Sequence, residues 1–161
     1  MIKKMFLPIF AMFFLVSCKS NNAFKYSEDF VASEKKLIPN IGLTETNVAG
    51  YIAREHYDSV AIAAKKMEIQ IDSLIVNMKA KPAPEAQLGE KFKVDVINYF
   101  VFFKSVYTSY INFGKAASAD ERAQELVKLQ QIVSNKEVVV NAVQQSQREF
   151  AKANGFRLGN K

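Results

Sequence analysis

Apolar residues recur along most of this chain at spacings of three and four. In one run they are Ala53, Tyr57, Val60, Ala64, Met67, Ile71, Leu74 and Met78. In a second run they are Leu88, Phe92, Val96, Tyr99, Phe103, Val106, Tyr110 and Phe113. Such spacings place the apolar side chains on one face of a helix, where they pack against a neighbouring helix. The pattern therefore predicts an all-α fold of long helices packed side by side.

Start and stop signals divide the chain into four predicted helices, over about 27–38, 46–79, 85–116 and 118–154. Ser27 and Ser118 have the side chain of a helix N-cap, and Ser118 also begins a capping box that ends at Glu121. Pro39 is expected to end the first helix, and Gly155 to follow the last. Short connections make neighbouring helices antiparallel. We therefore expect an elongated antiparallel up-down four-helix bundle, with the first helix as its shortest member.

The N-terminus has the pattern of an export signal. Lys3 and Lys4 precede an apolar run over 5–16 that is shorter than the roughly 20 residues of a transmembrane helix. The run ends in Leu15-Val16-Ser17-Cys18, which resembles the lipobox of bacterial lipoproteins. The resemblance implies cleavage between Ser17 and Cys18 and attachment of lipid to Cys18. The expected organisation is a signal-peptide helix over 1–17, a lipidated flexible tether over 18–26 and a bundle domain over 27–161.

The charge balance restricts the partners of the mature chain. Loss of Lys3 and Lys4 leaves 20 of the 22 basic residues against 16 acids, a net charge of +4. Export and this modest charge argue against a nucleic-acid partner. The expected partners are the membrane, through the anchor, and an envelope protein. Lysines near the second helix connection could contact anionic lipid headgroups or acidic glycans, or could simply be solvated: Lys79, Lys81, Lys91 and Lys93.

Few residues have the chemistry of a catalytic or metal site. One Cys and one His are too few for a structural zinc site or a His-rich metal cage. We predict no catalytic residue, no metal ligand and no cofactor. One alternative is a hydrolytic protein that uses His56 as a general base. Another is haem ligation by His56 together with Met67 or Met78.

The third predicted helix is rich in aromatic residues. Four of them could line a groove for a small apolar ligand or lipid between helices: Tyr99, Phe103, Tyr107 and Tyr110. The same residues could equally form a plain aromatic core. The sequence leaves both interpretations open.

Two further stretches accompany the lipobox. They are Phe24-Lys25-Tyr26-Ser27-Glu28-Asp29-Phe30 and Met67-Glu68-Ile69-Gln70-Ile71-Asp72-Ser73. Together with the lipobox they resemble small all-helical envelope and surface lipoproteins of diderm bacteria. That family has no established catalytic residues. The resemblance implies a non-catalytic binding or structural module anchored in the cell envelope. Because Lys19 is not the Asp that favours inner-membrane retention, we expect the outer membrane, with the periplasmic or the outer face left open.

Overall fold

The computed structural model describes residues 16–159, and within them every regular element is a helix. The helices are α1 (Val16–Ile52), α2 (Tyr57–Ala80), α3 (Gly89–Lys115), α4 (Ala119–Ser134) and α5 (Lys136–Ala153). The predicted all-α class is thus confirmed for this part of the chain. The predicted signal-peptide helix lies outside the described residues, apart from its last two positions, which begin α1.

Contacts between distant residues show how the helices are arranged. Asp72 of α2 pairs with Lys104 of α3 at 2.5 Å, and Glu68 accepts from Thr108 at 2.6 Å, so α2 and α3 are antiparallel. Helix α1 packs on α2, and α3 packs on both α4 and α5. Helix α5 also contacts α1 and closes the ring of helices. The molecule is a helical bundle whose fourth arm consists of α4 and α5.

An aromatic core joins three of the arms. Phe30 of α1 packs edge-on against Phe92 and Phe100 of α3, and Phe92 stacks on Phe150 of α5 with ring centroids 4.8 Å apart. Such ring pairs contribute about 0.5–1.5 kcal/mol each beyond the burial of their area. A second, smaller cluster at the other end contains Val48, Val60 and Phe113. The main core therefore lies towards the end of the bundle at which α1 begins.

The prediction for the first helix was wrong in its start, its end and its length. Helix α1 has 37 residues and is the longest in the bundle, and it passes through Pro39 without a break. Pro39 and Lys35 are both exposed. Water can therefore satisfy the carbonyl that loses its helical partner, while buried neighbours such as Leu37 keep the helix on the core. The flexible tether predicted over 18–26 is also wrong, because these residues form the first turns of α1.

The second predicted helix is divided between α1 and α2. Residues 46–52 end α1, and the chain reverses where the sequence pattern predicted continuous helix. The His56 N–H donates to the Tyr51 carbonyl at 2.9 Å, and the Glu55 N–H donates to the Ile52 carbonyl at 3.0 Å. These two bonds form a Schellman motif, with Glu55 in the left-handed position at a φ of 57°. Glycine usually occupies that position, so the sequence contained no obvious stop signal.

The fourth predicted helix is also two helices, α4 and α5, joined at Asn135. The Asn135 amide and the Ser134 hydroxyl both donate to the Gln131 carbonyl and so compete with the regular helical pattern. The two ends of this fourth predicted helix were placed correctly. Ser118 accepts from the Glu121 N–H at 3.1 Å, and Gly155 has a φ of 70° in a Schellman motif. The N-terminal cap and the glycine stop are thus confirmed.

Candidate functional site

Ser17 and Cys18 lie in the first turn of α1. The helix continues from them without interruption into the bundle, and Ala23 and Tyr26 are already buried there. Phe24 follows Cys18 by six residues, which corresponds to about 9 Å along a helix axis. The backbone at Cys18 is therefore connected to the folded domain by helix rather than by loose chain.

The four aromatic residues predicted to line a groove pack mainly against each other and against the core. Tyr99 and Tyr107 are buried, whereas Phe103 and Tyr110 are half-buried. The rings of Tyr99 and Phe103 meet edge-on at 5.0 Å, and those of Tyr107 and Tyr110 lie 6.1 Å apart. Three surface grooves in the described part of the chain are lined by other residues and by none of these four. This geometry favours the core interpretation.

The tyrosine hydroxyls link α3 to acidic residues of α1. Tyr99 donates to Glu34 at 2.8 Å, and Tyr110 donates to Glu45 at 2.9 Å. Burial, followed by the neighbouring carboxylate, raises the pKa of Tyr99 and of Tyr110 well above the ordinary value. These hydroxyls stay protonated at neutral pH and act as donors that fix the register of α1 against α3.

Among the residues that the structure describes, the buried hydroxyl of Tyr107 has no hydrogen-bond partner of ordinary geometry. Burial raises its pKa, and the negative charge of Glu45 raises it further. Glu45 is already the acceptor for Tyr110. Because the ring of Tyr107 is almost fully enclosed, its role in the core is that of a large apolar group.

His56 lies exposed in the turn between α1 and α2, and it lines none of the three grooves. Met67 lies in the core eleven residues further on, about 16 Å along the helix axis. Met78 is twice as far, at about 33 Å. Neither methionine can share an iron atom with His56, so the haem interpretation is wrong.

The sequence interpretation missed a groove of about 430 Å³ between α2 and α3. Its apolar wall includes Ile62, Ile69 and Ile111, and Lys66 and Lys115 stand at its margin. Ile62 and Ile69 are more than half exposed, although both belong to a helix that packs its other face into the core. Their spacing of seven residues, outside the predicted core face, was the signal that could have revealed this surface.

The lysines near the second helix connection have different local roles. Lys81 pairs with Asp29, and Lys91 pairs at 3.0 Å with Asp95, four residues further along α3. Lys93 donates to the carbonyl of Lys81 at 2.7 Å and so satisfies the end of α2. Lys79 makes no ion pair within the described residues.

Searches against protein-family models, curated proteins and solved structures found no match to this chain. Within residues 16–159, no helix is long and apolar enough to cross a membrane. The same part of the chain contains no cluster of three or more His, Cys, Asp or Glu side chains that could hold a metal ion.

Proposed function

We propose that this protein is a membrane-anchored bacterial envelope lipoprotein, a non-catalytic binding or structural module of the outer membrane or periplasm. The observation that carries this proposal is the sequence Leu15-Val16-Ser17-Cys18 behind a basic and apolar leader. Several acyl chains at about 0.8 kcal/mol per buried CH₂ give a lasting anchor, whereas one chain gives only weak binding. The partners are the membrane and an envelope protein.

Acyl labelling in cells tests the anchor. The wild-type chain, grown with an alkyne fatty acid, should become labelled and should fractionate with membranes. Cys18→Ala should lose the label, because Cys18 is the only cysteine in the chain. Ser20→Ala, two residues further on, is the matched control and should keep the label. Labelling of the Cys18→Ala variant, or an unlabelled wild-type chain, would refute the proposal.

A carrier of a small apolar ligand is the second candidate, and the groove between α2 and α3 favours it. Isoleucine side chains supply an apolar wall, and lysines at the margin suit an anionic head group. A single-chain amphiphile such as a fatty acid has both features. In this candidate function the ligand occupies this groove and not the region around Tyr99 and Phe103.

A fluorescent fatty acid tests the carrier function. Its emission should rise on binding the wild-type chain, and Ile69→Asp should weaken binding at least tenfold. Val76→Asp is the matched control, because Val76 lies seven residues further along α2, is similarly exposed and lies outside the groove. Equal binding by all three proteins, or no binding by the wild-type chain, would exclude the groove as the ligand site.

A further inference from the structure

Charge is distributed unevenly along the bundle. We call residues 21–29, 79–93 and 148–159 the anchor end, because α1 enters the bundle there. We call residues 45–60 and 110–125 the far end. The anchor end contains eight basic and five acidic side chains, a net charge of +3. The far end contains three basic and six acidic side chains, a net charge of −3. The bundle therefore has a positive end beside the lipobox and a negative end opposite.

The positive charge of the anchor end comes from separate parts of the chain. Its basic residues are Lys25, Lys79, Lys81, Lys91, Lys93, Arg148, Lys152 and Arg157. Lys81 and Lys91 are paired with carboxylates. Five exposed residues make no ion pair or side-chain hydrogen bond within the described chain: Lys25, Lys79, Arg148, Lys152 and Arg157. Helices α1 and α2 and the C-terminal segment each supply one of these five, and α5 supplies two.

Exposed apolar side chains accompany these cations. Phe24 of α1 is 42% exposed, and Leu88, in the connection before α3, is 43% exposed. Phe24 meets Phe156 edge-on at 5.6 Å, and Phe156 in turn packs on Phe150 of the core. The amphipathic combination of aromatic and basic side chains is typical of surfaces that lie at a lipid–water interface.

The continuous helix α1 fixes the distance between these groups and the anchor. Six helical residues from Cys18 to Phe24 span about 9 Å, whereas six extended residues could span about 20 Å. The Debye length at physiological ionic strength is about 8 Å. A helical connection therefore keeps Phe24 about one Debye length from the anchor, whereas a loose tether would let this distance grow to more than twice that value.

We propose that the anchor end docks on the surface of an anionic phospholipid bilayer, with Lys25, Lys79, Lys152 and Arg157 against the headgroups. This inference rests on the proposed lipid anchor. Docking orients the bundle with its far end away from the membrane, because the anionic lipid repels the negative charge of the far end. The anchor then supplies the attachment and the charged end supplies the orientation.

Energy transfer in vesicles tests the orientation. The lipidated protein is reconstituted into vesicles that contain a rhodamine headgroup lipid. Because lipid occupies the thiol of Cys18, a cysteine introduced by Gln87→Cys or Ala117→Cys is the only site for a fluorophore. Position 87 lies at the anchor end and position 117 beyond α3, which is about 40 Å long. The measured quantity is the ratio of transfer at 87 to transfer at 117.

We expect this ratio to be at least twofold higher in phosphatidylglycerol vesicles than in phosphatidylcholine vesicles, and to fall in 0.5 M salt. Reversal of the four docking cations to Glu should abolish the difference between the two lipids. The matched control reverses four exposed, unpaired lysines from other parts of the bundle: Lys36, Lys66, Lys115 and Lys136. This control has the same net charge and should keep the difference.

The outcomes separate docking from anchoring. The wild-type chain could float with vesicles and yet show a transfer ratio that does not depend on lipid charge, on salt or on the four charge reversals. That result would overturn docking and leave the proposed anchor intact. If the control variant lost the difference between the two lipids to the same extent, docking by the four named cations would also be overturned. The net charge of the protein alone would then explain the difference. Failure of the wild-type chain to float with vesicles would instead count against the lipid anchor itself. Circular dichroism of both charge variants confirms that each remains helical.

Discussion

At Gly114 the backbone of α3 lies close to the backbone of α2. A Cβ atom at this position would stand 2.6 Å from the Tyr57 carbonyl oxygen and 2.8 Å from the Ala61 Cβ. Carbon atoms at optimal separation are about 3.5–4.0 Å apart. The Tyr57 carbonyl is backbone and cannot rotate away, so Gly114→Ala forces the two helices apart. Gly42 provides the control, because it is exposed within α1 and a Cβ there would have no neighbour within 4 Å.

The two substitutions are the same chemically and should have opposite effects. Overpacking costs about 1–3 kcal/mol, and we expect the upper value at Gly114 because backbone must move. Alanine recovers about 1 kcal/mol of helix propensity at either position. The net effect of Gly114→Ala is then a loss of about 2 kcal/mol in the free energy of unfolding, whereas Gly42→Ala gains about 1 kcal/mol. At about 3 °C per kcal/mol, the melting temperatures should differ by about 9 °C.

Urea unfolding monitored by ellipticity at 222 nm measures both variants against the wild-type chain in one buffer and detergent. The dependence of the free energy on urea should stay constant, because the surface exposed on unfolding is unchanged. A Gly114→Ala variant as stable as the wild-type chain would show that α2 and α3 do not approach closely at this crossing. Destabilisation by Gly42→Ala would refute the assignment of 42 to an exposed helical position.

Two further predictions concern buried polar groups. Ser27 accepts a hydrogen bond from the Gln147 amide at 2.9 Å inside the bundle, so Ser27→Ala should cost about 1–3 kcal/mol by urea unfolding. Exposed Ser73→Ala is the control, and a loss of similar size there would contradict the reasoning. Burial raises the pKa of Tyr99 and Tyr110, so the folded state holds protons that the unfolded state releases near pH 10. Stability should therefore fall as pH rises above about 10, and absorbance at 295 nm should show these phenols ionising only with unfolding.

The sequence pattern predicted the helical class and most core positions because apolar spacing reports which face of a helix is buried. Val60, Met67 and Ile71 of the first run, and Phe92, Val96 and Tyr99 of the second, are buried as their spacing implied. Helix ends were predicted where local chemistry determines them, as at Ser118 and Gly155. The end of α1 was missed, because a non-glycine residue, Glu55, has the left-handed conformation that glycine usually supplies at this position.

The pairing of buried polar residues is another feature that the local sequence pattern could not predict. Ser27 was predicted to cap a helix, because only its own segment of the sequence was considered, and Gln147 gave no sign of its partner. The fold places them against each other 120 residues apart, where each satisfies the other. A hydrogen bond between distant residues leaves no local signal in the sequence, since neither segment contains its partner.

The sequence by itself determined the all-helical class, the pattern before Cys18 that resembles a lipobox and the overall excess of basic residues, because each depends on local pattern or on composition. Only the tertiary structure decided where that charge lies. Lys25, Lys79 and Lys152 come from three separate helices, and each lies at the end of the bundle where α1 enters. Antiparallel packing brings the start of α1, the end of α2 and the end of α5 to the same level. It therefore concentrates the positive charge beside the lipobox.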